Sequence, residues 1–306
     1  MLKKIKIPLT ITLIMTILFV ARDNFSFSKQ LQRYYIDSCA KAEYVLLYNN
    51  SNNSIMFSKK PDEVINIGSI TKIMTALVAL QYLQHDQEIT IGEEVDSCLT
   101  ADASRSMIKC GQKFTFKQLL YAMLVPSGCD AAYSIAVNTS RYILNDYSIL
   151  TNEAVDIFCD LMNKKAMELG CKNTFFMNPD GQDEFGQCTT LSDVLKIVVE
   201  ALKYDIFKET VNTASITITP IKGEEYTWEN TNFLIRKDSR YYNKNICGVK
   251  TGYTLNAGYS LVSTAKINDT ELICLVANCS YEGLRYTISE KLFAGGFAEL
   301  NIIWKK

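Results

Sequence analysis

Apolar residues recur at helical spacing through the middle of the chain. After Ser69 they fall at positions 70, 73, 74, 77, 78 and 80, which places them along one face of a helix. The same spacing predicts helices in four further segments: 116–138 with an interruption at VPSGCDAAYSIAV, 151–169, 191–203 and 286–300. Gly170 follows the segment 151–169, and a glycine commonly ends a helix. The middle of the chain is therefore predicted to be helical.

Strand patterns lie toward the two ends of the chain. Residues 43–58 indicate two short strands around the polar turn NNSNNS, which predicts a hairpin. Beyond residue 210 the chain favours strands in SITITP, VKTGYTLNAGYSLVSTAKI and TELICLVANCS. The pair Asn268-Asp269 predicts a tight turn between the last two strands. Because helices lie between strands and no repeat or long linker interrupts them, we expect one mixed α/β domain.

The first 28 residues have the pattern of an export signal. Three lysines precede an uncharged apolar run over residues 7–20. That run is short for a full membrane span, and no clear small-residue cleavage site follows it. We therefore expect residues 1–28 to be a signal peptide or an N-terminal membrane anchor, with 7–20 as the tether. Residues 29–306 would form the exported domain, on the outer face of the cytoplasmic membrane or in the cell wall.

The charge balance and the scarcity of histidine exclude several functions. The chain has 32 Lys+Arg and 33 Asp+Glu, so it lacks the basic field of a typical nucleic-acid-binding protein. Its single histidine, His85, excludes a zinc site built on several histidines. His85 lies in the polar segment QHDQE, which favours an exposed side chain over a role in a Ser-His-Asp triad. We expect neither a metal nor a cofactor.

Ten cysteines raise the question of disulfides in an exported chain. No CxxC pair occurs, which argues against a zinc ribbon or a thioredoxin-type site. Cys98 and Cys110, or Cys274 and Cys279, are near enough in sequence to close loops, but reduced thiols fit the sequence equally well.

The segment Ser69-Ile-Thr-Lys72 places a serine and a lysine one helical turn apart. A serine needs a base beside it to act as a nucleophile, and a lysine with a lowered pKa suits a chain with almost no histidine. At a helix start, unpaired N–H groups and the helix dipole also favour negative charge. Taken alone, the pattern equally fits an N-cap serine and a surface lysine.

Two further short patterns contain polar groups suited to a substrate. Ser127-Gly128-Cys129 follows a proline, which predicts a tight loop able to present the serine into a cleft. Lys250-Thr251-Gly252 lies on a predicted strand, where the lysine and threonine can bind a carboxylate. The glycine there allows a ligand backbone to approach. Alone, the first pattern is an ordinary turn and the second an ordinary edge strand.

The three patterns occur in the order SxxK, SxN-like and KTG, which is the signature of penicillin-binding proteins. With the blocks GSITKIMTALVAL, MLVPSGCDAA, NPDGQDEFGQCTTLSD, NTN, GVKTGYTLNAGYSLVSTA and GGF, residues 40–300 closely resemble the low-molecular-mass serine D-alanyl-D-alanine carboxypeptidases. The resemblance implies a β-lactamase/transpeptidase-like α/β fold, in which helices flank an antiparallel sheet beside an all-helical region. It also implies peptidoglycan stem peptides ending in D-Ala-D-Ala as substrates and β-lactam antibiotics as inhibitors.

The resemblance also assigns catalytic roles to three residues. Ser69 would attack the carbonyl between the two terminal D-alanines and form an acyl-enzyme. Lys72 would accept the proton of Ser69. Ser127 would relay a proton to the leaving amine, after which water would cleave the acyl-enzyme.

The remaining assigned residues bind the substrate. Lys250 and Thr251 would hold its terminal carboxylate, beside Gly252. The backbone N–H groups of Ser69 and Tyr253 would form the oxyanion hole, and such donors are commonly worth about 2.7–4 kcal/mol in the transition state.

Two departures from the family pattern leave alternatives open. Cys129 stands where the family usually has asparagine, and a thiol offers one weak donor in place of an amide's donors and acceptor. We expect reduced or retuned activity; a catalytically impaired protein that binds cell-wall peptides is the alternative. Cys129 and Cys188 both lie in motif blocks that line or approach the cleft in the family, so a disulfide or metal contact between them would gate activity; two unrelated thiols are the alternative. From the few residues that follow GGF, we expect no separate C-terminal β-domain. A serine β-lactamase is a further alternative, and only Glu184 is placed to activate its deacylating water.

Overall fold

The computed structural model describes residues 30–39 and 41–305. The predicted signal or anchor at residues 1–28 lies outside the described residues. In the part described, no helix is both long and apolar enough to cross a membrane.

A five-stranded antiparallel sheet joins the two ends of the chain, as the strand patterns predicted. Its spatial order is β2-β1-β9-β8-β7. The strands are β1 Ala42–Asn49, β2 Ser54–Lys59, β7 Ile246–Gly252, β8 Tyr259–Ile267 and β9 Thr270–Cys279. Two small antiparallel pairs lie outside it: β3 Glu88–Thr90 with β4 Lys113–Thr115, and β5 Ser215–Ile218 with β6 Tyr226–Glu229.

The two predicted hairpin turns are confirmed. Asn49 pairs with Ser54 across the NNSNNS turn, and Asn53 adopts a φ of 57° there. Ile267 pairs with Thr270 across Asn268-Asp269, and Asn268 has a φ of 53°. Asparagine tolerates this left-handed conformation, which matches the twist of the flanking strands.

The helices fill the middle of the chain and cover the sheet. Residues 30–38 are helical and are called α1. The others are α2 Lys72–Ala79, α3 Glu94–Ser97, α4 Phe116–Leu124, α5 Cys129–Leu144, α6 Thr151–Glu168, α7 Leu191–Ala201, α8 Asp205–Val211 and α9 Glu282–Glu299.

The core has two layers, one on each face of the sheet. In β1, Leu46 belongs to the core shared with α2, α4 and α5, whereas its neighbours Val45 and Leu47 belong to the core shared with α9. This alternation follows from the two-residue period of a strand. The strand is buried on both faces because a core layer packs against each face of the sheet.

Helix α2 lies at the centre of the helical layer. All eight of its residues are buried, including Lys72 and Thr75. A helix that is buried all round is held by neighbours on every side, so its N-terminal end is fixed in position. That end is where the SxxK segment lies.

The structure differs from the predicted elements in several boundaries. Ser69 lies in a 3-10 turn, Gly68–Thr71, and α2 starts only at Lys72. The interruption that we predicted over VPSGCDAAYSIAV is wrong beyond VPSG, since α4 ends at Leu124 and α5 begins at Cys129. Helix α8 and strand β6 were not predicted, since segments of seven and four residues show little periodicity.

Candidate active site

The SxxK segment brings its serine and lysine into direct contact. The Nζ atom of Lys72 donates to the Oγ atom of Ser69 at 2.7 Å. Lys72 is fully buried, whereas Ser69 is partly accessible from the cleft. The contact places the Lys72 amine beside the Ser69 hydroxyl, and burial keeps bulk water away from that amine.

Two groups from other parts of the chain complete the surroundings of the Lys72 Nζ. It donates to the carbonyl oxygen of Asp180 at 2.8 Å and lies 3.4 Å from the Sγ of Cys129. The Asp180 carbonyl comes close because Gly181 packs on the serine turn. A Cβ at Gly181 would collide with the carbonyl of Gly68, and its φ of 89° also favours glycine.

Ser127 is held in an unusual backbone conformation at the loop between α4 and α5. Its φ is 68°, which is uncommon for a residue with a side chain and costs roughly 1–3 kcal/mol. The Oγ of Ser104 donates to its carbonyl at 2.6 Å, and the N–H of Cys129 donates to the Ser104 carbonyl at 2.8 Å. These bonds stabilise the loop and direct the Ser127 hydroxyl toward Lys250, whose Nζ donates to it at 2.8 Å.

Cys129 occupies the corner between Lys72 and Ser104. It is 2% exposed, and its Sγ lies 3.5 Å from the Ser104 Oγ. Burial raises the pKa of the Cys129 thiol, and the neighbouring Lys72 opposes that shift only in part. The thiol is therefore neutral at pH 7 and contacts Lys72 as a weak polar neighbour rather than as an ion-pair partner.

Strand β7 forms the opposite wall of the cleft. It is the last strand of the sheet, so one of its edges is left for an extended ligand. Gly252 at its end is required there, since a Cβ would collide with the carbonyl of Ile67. Thr251 shares a hydrogen bond with Thr231 between their Oγ1 atoms at 2.6 Å.

Lys250 is a second buried lysine in the same cleft. Burial lowers its pKa well below the ordinary value, and the positive charges of Lys72 and Arg285 act in the same direction. An anionic ligand would favour the protonated form of Lys250 by supplying the missing opposite charge. This side of the cleft is therefore suited to binding a carboxylate.

The backbone N–H of Tyr253 lies close to the serine turn. A Cβ placed on Gly68 would be 2.9 Å from the Tyr253 nitrogen, so this amide is a near neighbour of Ser69. The Tyr253 ring packs against Tyr259 at 4.4 Å and is half exposed at the mouth of the cleft. The Tyr253 amide therefore lies beside the serine turn, where the resemblance to the family places an oxyanion hole.

All the sequence-predicted site residues therefore surround one cleft. Its volume is about 510 Å³, and Ser69, Ser127, Cys129, Thr251, Gly252 and Tyr253 line it. Lys72 and Lys250 lie beneath its surface, each bonded to one of the two serines.

Several cleft residues carried no local signal in the sequence. Ser104 and Arg285 line the cleft and come from separate segments, whereas Asp180 was visible only as part of the NPDGQDEFGQCTTLSD block. The guanidinium of Arg285 donates to the carbonyl of Gly252 at 3.2 Å and to Glu282 at 2.8 Å. Thr231 was visible only as the centre of the NTN block.

The structure also tests the cysteine hypotheses. All ten cysteines are free, so a disulfide between Cys129 and Cys188 is wrong, as are bridges within the two close pairs. Among the described residues, no group of three or more His, Cys, Asp or Glu is placed to hold a metal ion.

The side chains needed by two alternative mechanisms do not line the cleft that contains Ser69. Glu184 is exposed and lies in a separate depression with Phe185 and Asn256, outside the cleft wall. A deacylating water positioned by Glu184 is thus not supported. His85 is exposed, as the sequence predicted.

Comparison with known proteins connects this geometry to one family. The family profile described as D-alanyl-D-alanine carboxypeptidase matches residues 32–280. D-alanyl-D-alanine carboxypeptidase DacF of Bacillus subtilis is 28% identical over 272 residues, covering 88% of this chain and 65% of that protein. A Streptomyces D-alanyl-D-alanine carboxypeptidase is 32% identical over 260 residues, covering 82% of this chain and 85% of that protein.

Solved structures confirm the fold. The crystal structure of a Streptomyces DD-transpeptidase has a TM-score of 0.77 at 32% identity, covering 84% of this chain and 97% of that one. Mutants of that enzyme have been solved at a serine and at a cysteine two residues later. A penicillin-binding protein of Listeria monocytogenes in its ampicillin-bound form has a TM-score of 0.67 at 25% identity, covering 84% of this chain and 97% of that one. With a family profile that spans most of its length and the transpeptidase-like fold, the chain belongs to the D-alanyl-D-alanine carboxypeptidase family.

Proposed function

We propose that this protein is a serine D-alanyl-D-alanine carboxypeptidase that removes the terminal D-alanine from peptidoglycan stem peptides. The observation that carries the proposal is the 2.7 Å contact between the Lys72 Nζ and the Ser69 Oγ. The contact lies at the floor of a cleft whose far wall presents Lys250 and Thr251.

The acylation step uses the groups around Ser69. Lys72 takes the hydroxyl proton as the Ser69 Oγ attacks the carbonyl carbon. The 2.7 Å contact between the Lys72 Nζ and the Ser69 Oγ supports this role. The N–H groups of Ser69 and Tyr253 then stabilise the negative oxygen that develops on the substrate.

The leaving D-alanine departs on the other side of the cleft. Its carboxylate binds Thr251 and Lys250, and Ser127 delivers a proton to its amine. The Lys250 Nζ lies 2.8 Å from the Ser127 Oγ, so Lys250, protonated beside the bound carboxylate, can supply the proton that Ser127 relays. Water then hydrolyses the ester on Ser69. β-Lactams would acylate the same serine.

A cysteine at position 129 is compatible with this chemistry. Its Sγ lies 3.4 Å from the Lys72 Nζ, so it fills the place beside the base without an ion pair. The Streptomyces DD-transpeptidase also has a serine and a cysteine two residues apart, which supports a cysteine at this spacing in the family. We therefore favour an active enzyme over an impaired binding protein.

We propose export for the whole chain. The three lysines before the apolar run at 7–20 support a signal peptide or an anchor over residues 1–28. The catalytic unit would then be residues 29–306, placed where peptidoglycan is accessible.

The experiment is intact-protein mass measurement after addition of benzylpenicillin, with Ser69→Ala as control. We expect a lasting adduct on the wild type alone, together with release of D-alanine from a peptide ending in D-Ala-D-Ala. An adduct that disappears with rapid penicillin hydrolysis would indicate a β-lactamase. No adduct and no D-alanine would leave the binding role. Activity that survives Ser69→Ala would overturn the mechanism.

A further inference from the structure

A second cavity lies beside the active-site cleft and has no role in the mechanism above. We call it the side cavity; its volume is about 350 Å³, and its lining includes Phe233, Ser239, Arg240, Tyr241, Tyr281 and Tyr286. Glu282 lines both this cavity and the active-site cleft, so the two are adjacent. The loop before β7 and the start of α9 form its walls.

A short chain of contacts places the side cavity next to the carboxylate-binding end of the cleft. The Oγ1 of Thr251 contacts the Oγ1 of Thr231 at 2.6 Å. The hydroxyl of Tyr286 donates to the carbonyl of Thr231 at 2.9 Å, and the Tyr286 ring forms part of the cavity wall. The cavity therefore lies beyond the substrate's C-terminal residue, on the side of the leaving group.

The lining is suited to a side chain with an apolar stem and an anionic end. The Tyr286 ring packs against Phe233 at 5.5 Å and against Tyr241 at 5.0 Å, which builds a fixed aromatic wall. Tyr281 stands at the rim and is 53% exposed. Methylene groups gain most when they are buried against such rings.

Arg240 supplies the charge. Its guanidinium lies over the Tyr241 ring at 4.7 Å and is exposed. In the described part of the chain it donates to the Tyr241 hydroxyl and forms no ion pair. By contrast, the Glu282 carboxylate already pairs with Arg285 at 2.8 Å. The free charge in the cavity is positive, and it matches a carboxylate.

We propose that the side cavity binds the side chain of a leaving group larger than D-alanine. The leaving group would be a D-amino acid whose side chain has several methylene groups and ends in a carboxylate. This inference rests on the proposed carboxypeptidase function and extends its substrate class. The chemistry is the same hydrolysis: the amide C–N bond breaks, the acyl carbon passes to the Ser69 Oγ and then to a water oxygen, and the larger amine takes the proton.

Peptides that differ only in the last residue test the proposal. Three substrates end in D-Ala-D-Ala, D-Ala-D-norleucine or D-Ala-D-2-aminoadipate, and the last two have side chains of similar length. We expect kcat/KM for the aminoadipate peptide to exceed that for the norleucine peptide by about tenfold, because only the first offers Arg240 a carboxylate. Arg240→Ala should remove that preference and leave cleavage of D-Ala-D-Ala unchanged.

Lys237→Ala is the matched control, since Lys237 is an exposed cation three residues away that does not line the cavity. It should leave the preference intact. Tyr281→Ala should lower cleavage of both longer peptides and spare D-Ala-D-Ala. Equal cleavage of the norleucine and aminoadipate peptides by the wild type, or a preference that survives Arg240→Ala, would overturn the proposal.

A binding measurement separates this proposal from the proposed function. Calorimetric titration of the Ser69→Ala protein with the aminoadipate peptide requires no turnover. We expect the aminoadipate peptide to bind about tenfold more tightly than the norleucine peptide, and Arg240→Ala to weaken that binding. This result supports the cavity assignment even if the wild type hydrolyses nothing. Equal binding of the two peptides overturns the cavity assignment whether or not D-alanine is released.

Discussion

Asp183 joins the two loops that hold the catalytic groups, so replacing it should slow acylation from a distance. Its Oδ1 accepts a hydrogen bond from the Thr254 hydroxyl at 2.7 Å, and its Oδ2 accepts one from the backbone N–H of Asn256 at 3.2 Å. The loop of Asp183 also presents the Asp180 carbonyl to Lys72, and the loop of Thr254 follows Tyr253. The Asp183 carboxylate thereby sets the distance between the base and an oxyanion-hole amide.

The perturbation is Asp183→Asn, which preserves the shape but replaces one acceptor with a donor. The amide can still accept from Thr254, but its NH₂ group then faces the N–H of Asn256. A hydrogen bond to a charged group contributes about 1.5–3 kcal/mol, and we expect the lower end because Asp183 is partly exposed. If the transition state for acylation loses that free energy of stabilisation, acylation by benzylpenicillin slows about tenfold.

The assay is the rate of benzylpenicillin adduct formation, followed by mass, beside urea unfolding of the same variant. Glu184→Gln is the control, because Glu184 is the next residue and is exposed, and its side chain forms no hydrogen bond in the described part of the chain. It should acylate at the wild-type rate. The reasoning is refuted if Asp183→Asn acylates as fast as Glu184→Gln.

Three further predictions concern the buried groups. Lys72→Ala should slow acylation at pH 7 by about 10²–10⁴-fold, since Ser69 loses its base; penicillin adduct formation at the wild-type rate would contradict this. Lys250→Met should abolish D-alanine release while raising the free energy of unfolding. In the wild type, the lowered pKa of Lys250 makes its protonated form costly in the folded state, so stability rises with pH from the folded pKa toward 10.5. The difference in the free energy of unfolding between Lys250→Met and wild type should therefore be largest at low pH and should shrink as the pH approaches 10.5. Urea unfolding at a series of pH values measures this difference. A difference that does not change with pH would refute the prediction. Cys129→Asn should speed acylation by up to about tenfold by adding one hydrogen bond near Lys72, and a slower reaction would show that the thiol is the better neighbour.

Local patterns in the sequence were sufficient for the features that depend on neighbouring residues. The spacing of Ser69 and Lys72 brings their side chains together because residues three apart share a helical face. The Asn268-Asp269 turn and the NNSNNS hairpin form because asparagine tolerates a left-handed backbone. Helix α6 ends before Gly170 for a similarly local reason. Each of these depends on hydrogen bonds and rotamers within a few residues.

The sequence was less informative wherever the outcome depends on distant packing. No local pattern shows that the Asp180 carbonyl reaches Lys72, because this contact spans 108 residues and needs Gly181 to lie against Gly68. The cysteines are free because a disulfide requires two thiols to lie close together in space. The spacing of cysteines along the chain does not define that distance. The position of Arg240 in the side cavity depends on how the loop before β7 meets α9.

The chemistry of the site therefore has two origins. The sequence by itself determined which groups are available: a serine with a lysine one turn later, a second serine in a tight loop, and a lysine and threonine on a strand. Only the tertiary structure decided that these groups surround one cleft, that both lysines are buried, and that the pKa of Lys250 is lowered. The physical reason is that protonation and orientation depend on burial and on charges from other elements, and the tertiary fold alone brings those together.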